Sequence, residues 1–462
     1  MRIPSRIIVL LTAIGAVLFL SAPVVESAQE AKPQESFATA RLKAYIQAFN
    51  SGDEAQMTAF LEEHFASSAL KEAAVEARLV RYRRAKMGLR SFTPEKIVSE
   101  SAFQTSLLAK AGNGGFVLLQ ASVEKEPPHK LVSILMELVE NPDEVIVPDP
   151  KADDRKLVSA VRPFLEEQAR VAEFSGVVLI AKNGGVLFHE AYGRADREKD
   201  IPNLRDTKFN LGSINKNFTR AAIHILERQG KLSLSDPIGK FLPDYPNPDA
   251  AKKVTVRHLL DMASGIGDFF GPRYDQTPKD KIRTLRDYLP LFADQPLEFE
   301  PGTGNRYSNG GYLVLGLIIE KASGLDYYTF VRENIFKPCG MENTDSYARD
   351  ANTPNLAKGY TQDGTAKGGR VQNLATLPGR GSSAGGGYST AEDMLAYVLA
   401  LKDGKIFLPD IAGGLGIAGG APGINAAVEW DPRSGYIVIV LGNLDPPAAV
   451  RTARRIVGWL PR

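Results

Sequence analysis

Ser213-Ile214-Asn215-Lys216 sets a hydroxyl and an amine three residues apart. On a helix those positions share a face, so the two side chains can touch. A serine needs a base to become a nucleophile near neutral pH, and a lysine can serve if burial makes its ammonium acidic. The stretch from Ile214 to Gln229 reads as that helix, with Phe218, Ala221, Ala222, Ile225 and Leu226 on the apolar side. Gly212 leaves room for a tight entry. A Ser213 in the first turn would have its developing alkoxide favoured by the positive helix end.

Tyr307-Ser308-Asn309 is the second chemical element, inside FEPGTGNRYSNGGY. A phenol beside an ammonium can ionise and relay protons. The Asn309 amide can hold a substrate carbonyl or the lysine. Each pattern alone is weak. Ser68…Lys71 and Ser122…Lys125 repeat the first and read as solvated surface residues; Tyr245-Pro246-Asn247 repeats the second inside a proline-rich turn. Gly381-Ser382-Ser383-Ala384-Gly385 fits the nucleophile elbow of an α/β-hydrolase. That fold needs a histidine after the serine, and no histidine lies beyond His258. Cys339, in PCGM, reads as a buried and inert thiol at a helix end.

The elements that must position these residues belong to a chain of 462 residues, room for two or three domains. With 56 Lys+Arg against 54 Asp+Glu, there is no basic excess to hold nucleic acid and no acidic bias towards disorder. A single cysteine and five scattered histidines leave no intrachain disulfide and no metal motif. No cofactor and no metal is implied.

Arg2 and Arg6 precede the apolar run Ile7–Leu20, with small residues at Ser21, Ala22, Ser27 and Ala28. This is the pattern of a secretory signal over residues 1–28, and the run is short for a membrane span. An uncleaved anchor is the alternative. Cleavage would leave a secreted or periplasmic protein with no stable membrane span. Residues 30–140 read as a small α+β domain. A helix over 37–49 is broken at Asn50-Ser51-Gly52, Asp53 caps a second helix, and Phe116–Val123 and Leu131–Val139 are strands. That domain resembles the nuclear-transport-factor-2-like appendages of some secreted hydrolases. Residues 141–155, rich in Pro and Asp, read as a linker, and 156–462 as the main domain. There, a helix over Leu157–Ala172 leads into a hairpin, Gly176–Ala181 with Val186–Tyr192. A second hairpin joins Asn425–Trp430 to Tyr436–Leu441. Strands at both ends with helices between them suggest one sheet built from distant segments.

From about Phe174 to Pro447 the chain resembles the serine β-lactamase and penicillin-binding-protein superfamily. Its class C-type branch, with esterases and D-aminopeptidases, is the nearer likeness. FSGVVLIAKNGGVLFHEAYGRAD resembles the opening hairpin, and FNLGSINKNFTRAAIHILERQGKLSLSDPIGKFLPDYP the nucleophile helix and its exit. VTVRHLLDMASGIGDF and IFKPCGMENT match landmarks of the helical part, and SSAGGGYSTAEDM the return into the sheet. The resemblance implies an α/β (α+β) sandwich, an antiparallel sheet flanked by helices with an all-helical subdomain. It makes Ser213 the acylated nucleophile, Lys216 its base and Tyr307 the proton relay. Asn309 would contact substrate, and the amides of Ser213 and Gly420 would hold the oxyanion.

Two departures bear on activity. The third family motif begins with Lys or His, and here Ile417 stands there, in Gly416-Ile417-Ala418-Gly419-Gly420. Isoleucine cannot anchor a substrate carboxylate, which favours small esters or amides lacking one, or weakened activity. Lys405–Gly416 is also short, so a missing strand could misplace Gly420. The expectation is a secreted serine hydrolase acting through an acyl-enzyme. The alternative is a degenerate relative that binds cell-wall or acyl ligands without turnover.

Overall fold

The computed structural model describes residues 35–72, 74–139, 153–362, 369–409, 411 and 413–460. The stretch read as a secretory signal lies outside them, as does most of the stretch read as a linker. The chain divides near residue 146 into two compact units.

In the first unit, Ser36 caps α1 (Phe37–Ser51), its Oγ accepting from Thr39 N, and Gly52 ends it at φ +71°. Asp53 caps α2 (Glu54–His64) by accepting from the amides of Ala55 and Gln56. Two helices that the sequence pattern does not announce follow, α3 (Ser67–Glu72) and α4 (Val75–Leu89). The sheet has four antiparallel strands in chain order: β1 (Phe92–Glu100), β2 (Gln104–Ala111), β3 (Phe116–Val123) and β4 (Leu131–Val139). Alternation along β3 buries Val117, Leu119, Ala121 and Val123 in one core with Leu42, Ile46 and Phe49 of α1.

The second unit opens with α5 (Asp154–Arg170), capped by Asp153, so the helix begins inside the stretch read as linker. Then come β5 (Gly176–Lys182) and β6 (Gly185–Tyr192). The helical part follows, with α6 (Asn215–Arg228), α7 (Asn309–Ser323) and α8 (Ala391–Lys402) as its longer helices. The chain re-enters the sheet as β7 (Leu415–Ala421), β8 (Ile424–Trp430) and β9 (Tyr436–Gly442), and ends in α9 (Ala448–Trp459). The sheet order is β7-β8-β9-β5-β6, antiparallel throughout.

Because β5 and β9 are buried on both faces, they read as unbroken apolar runs. Val178, Ile180, Val438 and Val440 face Leu157, Val161 and Leu165 of α5 and Ala453 and Ile456 of α9. Val177, Leu179, Ile437 and Ile439 turn the other way, into a core shared with α6, α7 and α8. The result is a layered sandwich with the helical part on one side. Helix α7 is buried nearly all round, from Gly310 to Ile319, so it is the inner helix on which the others are laid.

Candidate active site

The turn that carries Ser213 follows a short pairing of two segments distant in the chain. Phe209–Asn210 pairs with Tyr388–Ser389, and Leu211 N donates to Gly387 O at 2.8 Å. The Asn210 side-chain oxygen accepts from Gly212 N at 2.9 Å. Gly212 then takes φ +52°, and a Cβ on it would stand 2.8 Å from Gly420 N, so conformation and space both require glycine. A tight 3-10 turn, Gly212–Ile214, carries Ser213 into α6.

One turn on, Lys216 is 5% exposed. Its Nζ lies 3.2 Å from Ser213 Oγ, 2.7 Å from Asn309 Oδ1 and 2.5 Å from Ala384 O. It also sits above the rings of Tyr307 and Tyr312, 4.7 and 5.5 Å from their centroids. Burial pulls its pKa from 10.5 down to about 7, against the opposing pull of the Asp268 charge.

Tyr307 Oη donates to Ser213 Oγ at 2.5 Å. Burial raises its pKa, only partly offset by that bond. The phenol therefore keeps its proton beside a readily neutral lysine, instead of ionising next to an ammonium as the sequence suggested. The ring remains half exposed, at 52%.

Asn309 opens α7, whose cap Ser308 accepts from Gly311 N at 2.8 Å and donates to Gly267 O at 2.9 Å. The Asn309 amide is engaged within the protein at both ends. Its oxygen faces Lys216, and its nitrogen donates to Asp268 Oδ2 at 2.7 Å. Of its two readings, lysine or substrate, the free protein shows the first.

Strand β7 runs beside the turn that carries Ser213. It pairs with β8 from Leu415↔Trp430 to Ala421↔Ile424, so the short Lys405–Gly416 connection has not displaced Gly420. A Cβ on Gly419 would fall 1.9 Å from Leu211 O and 2.8 Å from Ser213 N. The period of two puts Ile417 on the same face as Gly419 and Leu415, packed against the main core.

The other sequence candidates bring no further side chain to Ser213. Ser383 Oγ is buried and donates to Tyr312 O, while Ser382 closes a turn with Gly385, so the elbow-like motif is a structural loop. Ser122 Oγ pairs with Ser133 Oγ across the first unit's sheet, Ser68 is exposed, and Tyr245 is buried. Cys339 is partly exposed, not buried as expected, and partial burial lifts its thiol to about 11. Among the described residues no group of three His, Cys, Asp or Glu is placed to hold a metal ion. Sequence reasoning missed the Ala384 carbonyl and Asp268. The first has no side-chain signature, and the second sat unremarked inside SGIGDF.

A helix-headed serine and lysine at the edge of an antiparallel sheet, with helices on both faces, define a fold of the β-lactamase and transpeptidase type. The family profile described as Beta-lactamase matches residues 161–412, more than half of the chain, and the protein belongs to that family. It is 36% identical over 196 residues to Penicillin-binding protein 4* of Bacillus subtilis, covering 41% of this chain and 43% of that one. It is 29% identical over 346 residues to Esterase EstB of Burkholderia gladioli, covering 66% and 85%. The crystal structure of a penicillin binding protein from Bacillus halodurans superposes with a TM-score of 0.57 at 30% identity, covering 63% of this chain and 98% of that one. The chain spans about half the length of the penicillin-binding relatives it matches, 43% of one and 56% of another, PbpX of Bacillus subtilis.

Proposed function

We propose that the protein is a serine hydrolase working through an acyl-enzyme on small ester or amide substrates. The observation that carries this is one oxygen with two partners: Ser213 Oγ is met by Lys216 Nζ at 3.2 Å and by Tyr307 Oη at 2.5 Å. Ser213 Oγ attacks the substrate carbonyl carbon as its proton passes to the Lys216 lone pair. The amides of Ser213 and Gly420 are the donors assigned to the oxyanion, in support of which the two segments lie close: a Cβ on Gly212 would stand 2.8 Å from Gly420 N and one on Gly419 2.8 Å from Ser213 N. The tetrahedral intermediate collapses, breaking the bond to the leaving alcohol or amine. That group takes a proton from Tyr307, which Lys216 replenishes. Water then attacks the acyl-Ser213 ester, gives up a proton through the same pair, and releases the acid with Ser213 restored.

Ile417 shapes the substrate. At the position that the resemblance gives to an anchoring cation it offers only an apolar side chain, which favours neutral acyl groups; the esterase relative supports that preference. It also weakens turnover of carboxylate-bearing substrates. The secretory pattern read over residues 1–28 supports work outside the cytoplasm; among the described residues no helix is long and apolar enough to cross a membrane.

A fluorophosphonate probe followed by peptide mass spectrometry tests the reading. Labelling of Ser213 in the wild type, lost in Lys216→Ala, is expected. A folded protein that carries no adduct overturns it and leaves a ligand-binding relative without turnover. Nitrocefin against p-nitrophenyl acetate then separates lactam from ester preference, with ester expected to be faster.

A further inference from the structure

We propose that Asp268 is a positioning residue of this centre: it fixes the orientation of the Asn309 amide, and through it aims the Lys216 lone pair at Ser213. The proposal rests on the Ser213–Lys216 reading above and assigns a role to a residue that reading leaves idle.

Asp268 Oδ1 accepts from Phe270 N at 3.1 Å, which pins the carboxylate to its own loop. Oδ2 is left facing Asn309, accepting from Nδ2 at 2.7 Å and from the backbone N at 3.4 Å. A carboxylate offers only acceptors, so the NH2 end of Asn309 must face it and Oδ1 must face Lys216. A neutral lysine has two N–H bonds and one lone pair. Asn309 Oδ1 and Ala384 O, both acceptors, take the two N–H bonds. The lone pair is left for the Ser213 hydroxyl, as a general base requires. With Asn309 reversed, an amide N–H would face the lysine and compete for that lone pair.

The loop that carries Asp268 is seated on the helix that carries Asn309. Ser308 Oγ donates to Gly267 O, and a Cβ on Gly310 would stand 2.3 Å from that same oxygen. Around Lys216 the polar and charged groups are Ser213 on its own helix, Tyr307 from the loop before α7, Asn309 and Tyr312 from α7, the Ala384 carbonyl and the Asp268 charge; Arg220, one turn further along α6, acts on Tyr312. β7, which passes the Ser213 turn at Gly419, carries no charged residue from Leu415 to Ala421. Asp268 is thus the anion of the group, and its removal lowers the lysine pKa further.

Asp268→Asn and Asp268→Ala in the full chain test this through the rate of Ser213 labelling by a fluorophosphonate between pH 5.5 and 9. In Asp268→Asn, Phe270 N claims the new amide oxygen, and the new NH2 confronts Asn309 and turns it round. The isosteric change should therefore be the worse one, slowing labelling about 30- to 100-fold. Asp268→Ala leaves Asn309 free to follow the lysine. It should cost about 3- to 10-fold and move the acid limb of the profile to lower pH. A purely structural carboxylate would give the reverse order and leave the limb in place. That result, or both variants within twofold of wild type, overturns the proposal. If Asp268→Asn fails to fold by thermal melting, the limb of Asp268→Ala decides. Labelling that survives in Ser213→Ala would instead sink the nucleophile reading, whatever Asp268 does.

Discussion

Burying an ionisable lysine must leave a mark on stability as well as on rate. The folded pKa of Lys216 is about 7, while the unfolded chain keeps the proton up to about 10.5. Between those values the unfolded state binds more protons, so folding stability rises with pH. For this one group the linkage amounts to about 3 kcal/mol regained between pH 7 and 9.5. Lys216→Met removes the titration. It also strips Asn309 Oδ1 and Ala384 O of their donor, but that cost does not depend on pH. The stability gap between wild type and Lys216→Met should therefore shift in favour of wild type as the pH rises. Guanidinium denaturation followed by tryptophan fluorescence measures it selectively, because both tryptophans, Trp430 and Trp459, lie in the second unit. A gap constant to within about 0.5 kcal/mol across that range would refute the depressed lysine. The same proton sets the rate: labelling of Ser213 should rise through about pH 7 and level off above it.

Tyr307→Phe removes the hydroxyl that touches Ser213 Oγ while sparing the half-exposed ring; hydrolysis of p-nitrophenyl acetate should fall about 100- to 1,000-fold with an unchanged melting temperature. Gly419→Ala drives a methyl into Leu211 O and towards Ser213 N, so probe labelling should be lost even if circular dichroism shows the fold retained. Ile417→His should raise kcat/KM for carboxylate-bearing substrates relative to p-nitrophenyl acetate; an unchanged ratio would mean that this strand position does not face the substrate.

The elements with strong periodicity were legible from the sequence. β5, β8, β9 and the head of α6 fall within a residue or two of their expected places, because two-face burial or a one-face stripe writes itself into residue type. In the first unit, α3, α4, β1 and β2 were not. β1 buries only Phe92 and Val98 and is otherwise largely polar, so it carries no alternation to read. At the site, Ser213, Lys216, Tyr307 and Asn309 came from motif and order, and they do converge. What a sequence cannot encode by residue type is a backbone carbonyl such as Ala384 O, or a carboxylate made relevant by a loop fold, such as Asp268. The state of Tyr307 also escaped, because it depends on burial supplied by segments from elsewhere in the chain.

The middle strand of the five, β9, is made almost last. It joins β5 across some 254 positions, the separation of Lys182 and Tyr436. A chain emerging from the ribosome carries the greasy strip GVVLIA with no neighbour on that side until nearly the whole polypeptide exists. Any product cut short before residue 436 lacks the strand that joins β7 and β8 to β5 and β6. The five-stranded sheet, and with it the support on which β7 meets the Ser213 turn, is therefore closed only once nearly all of the polypeptide exists.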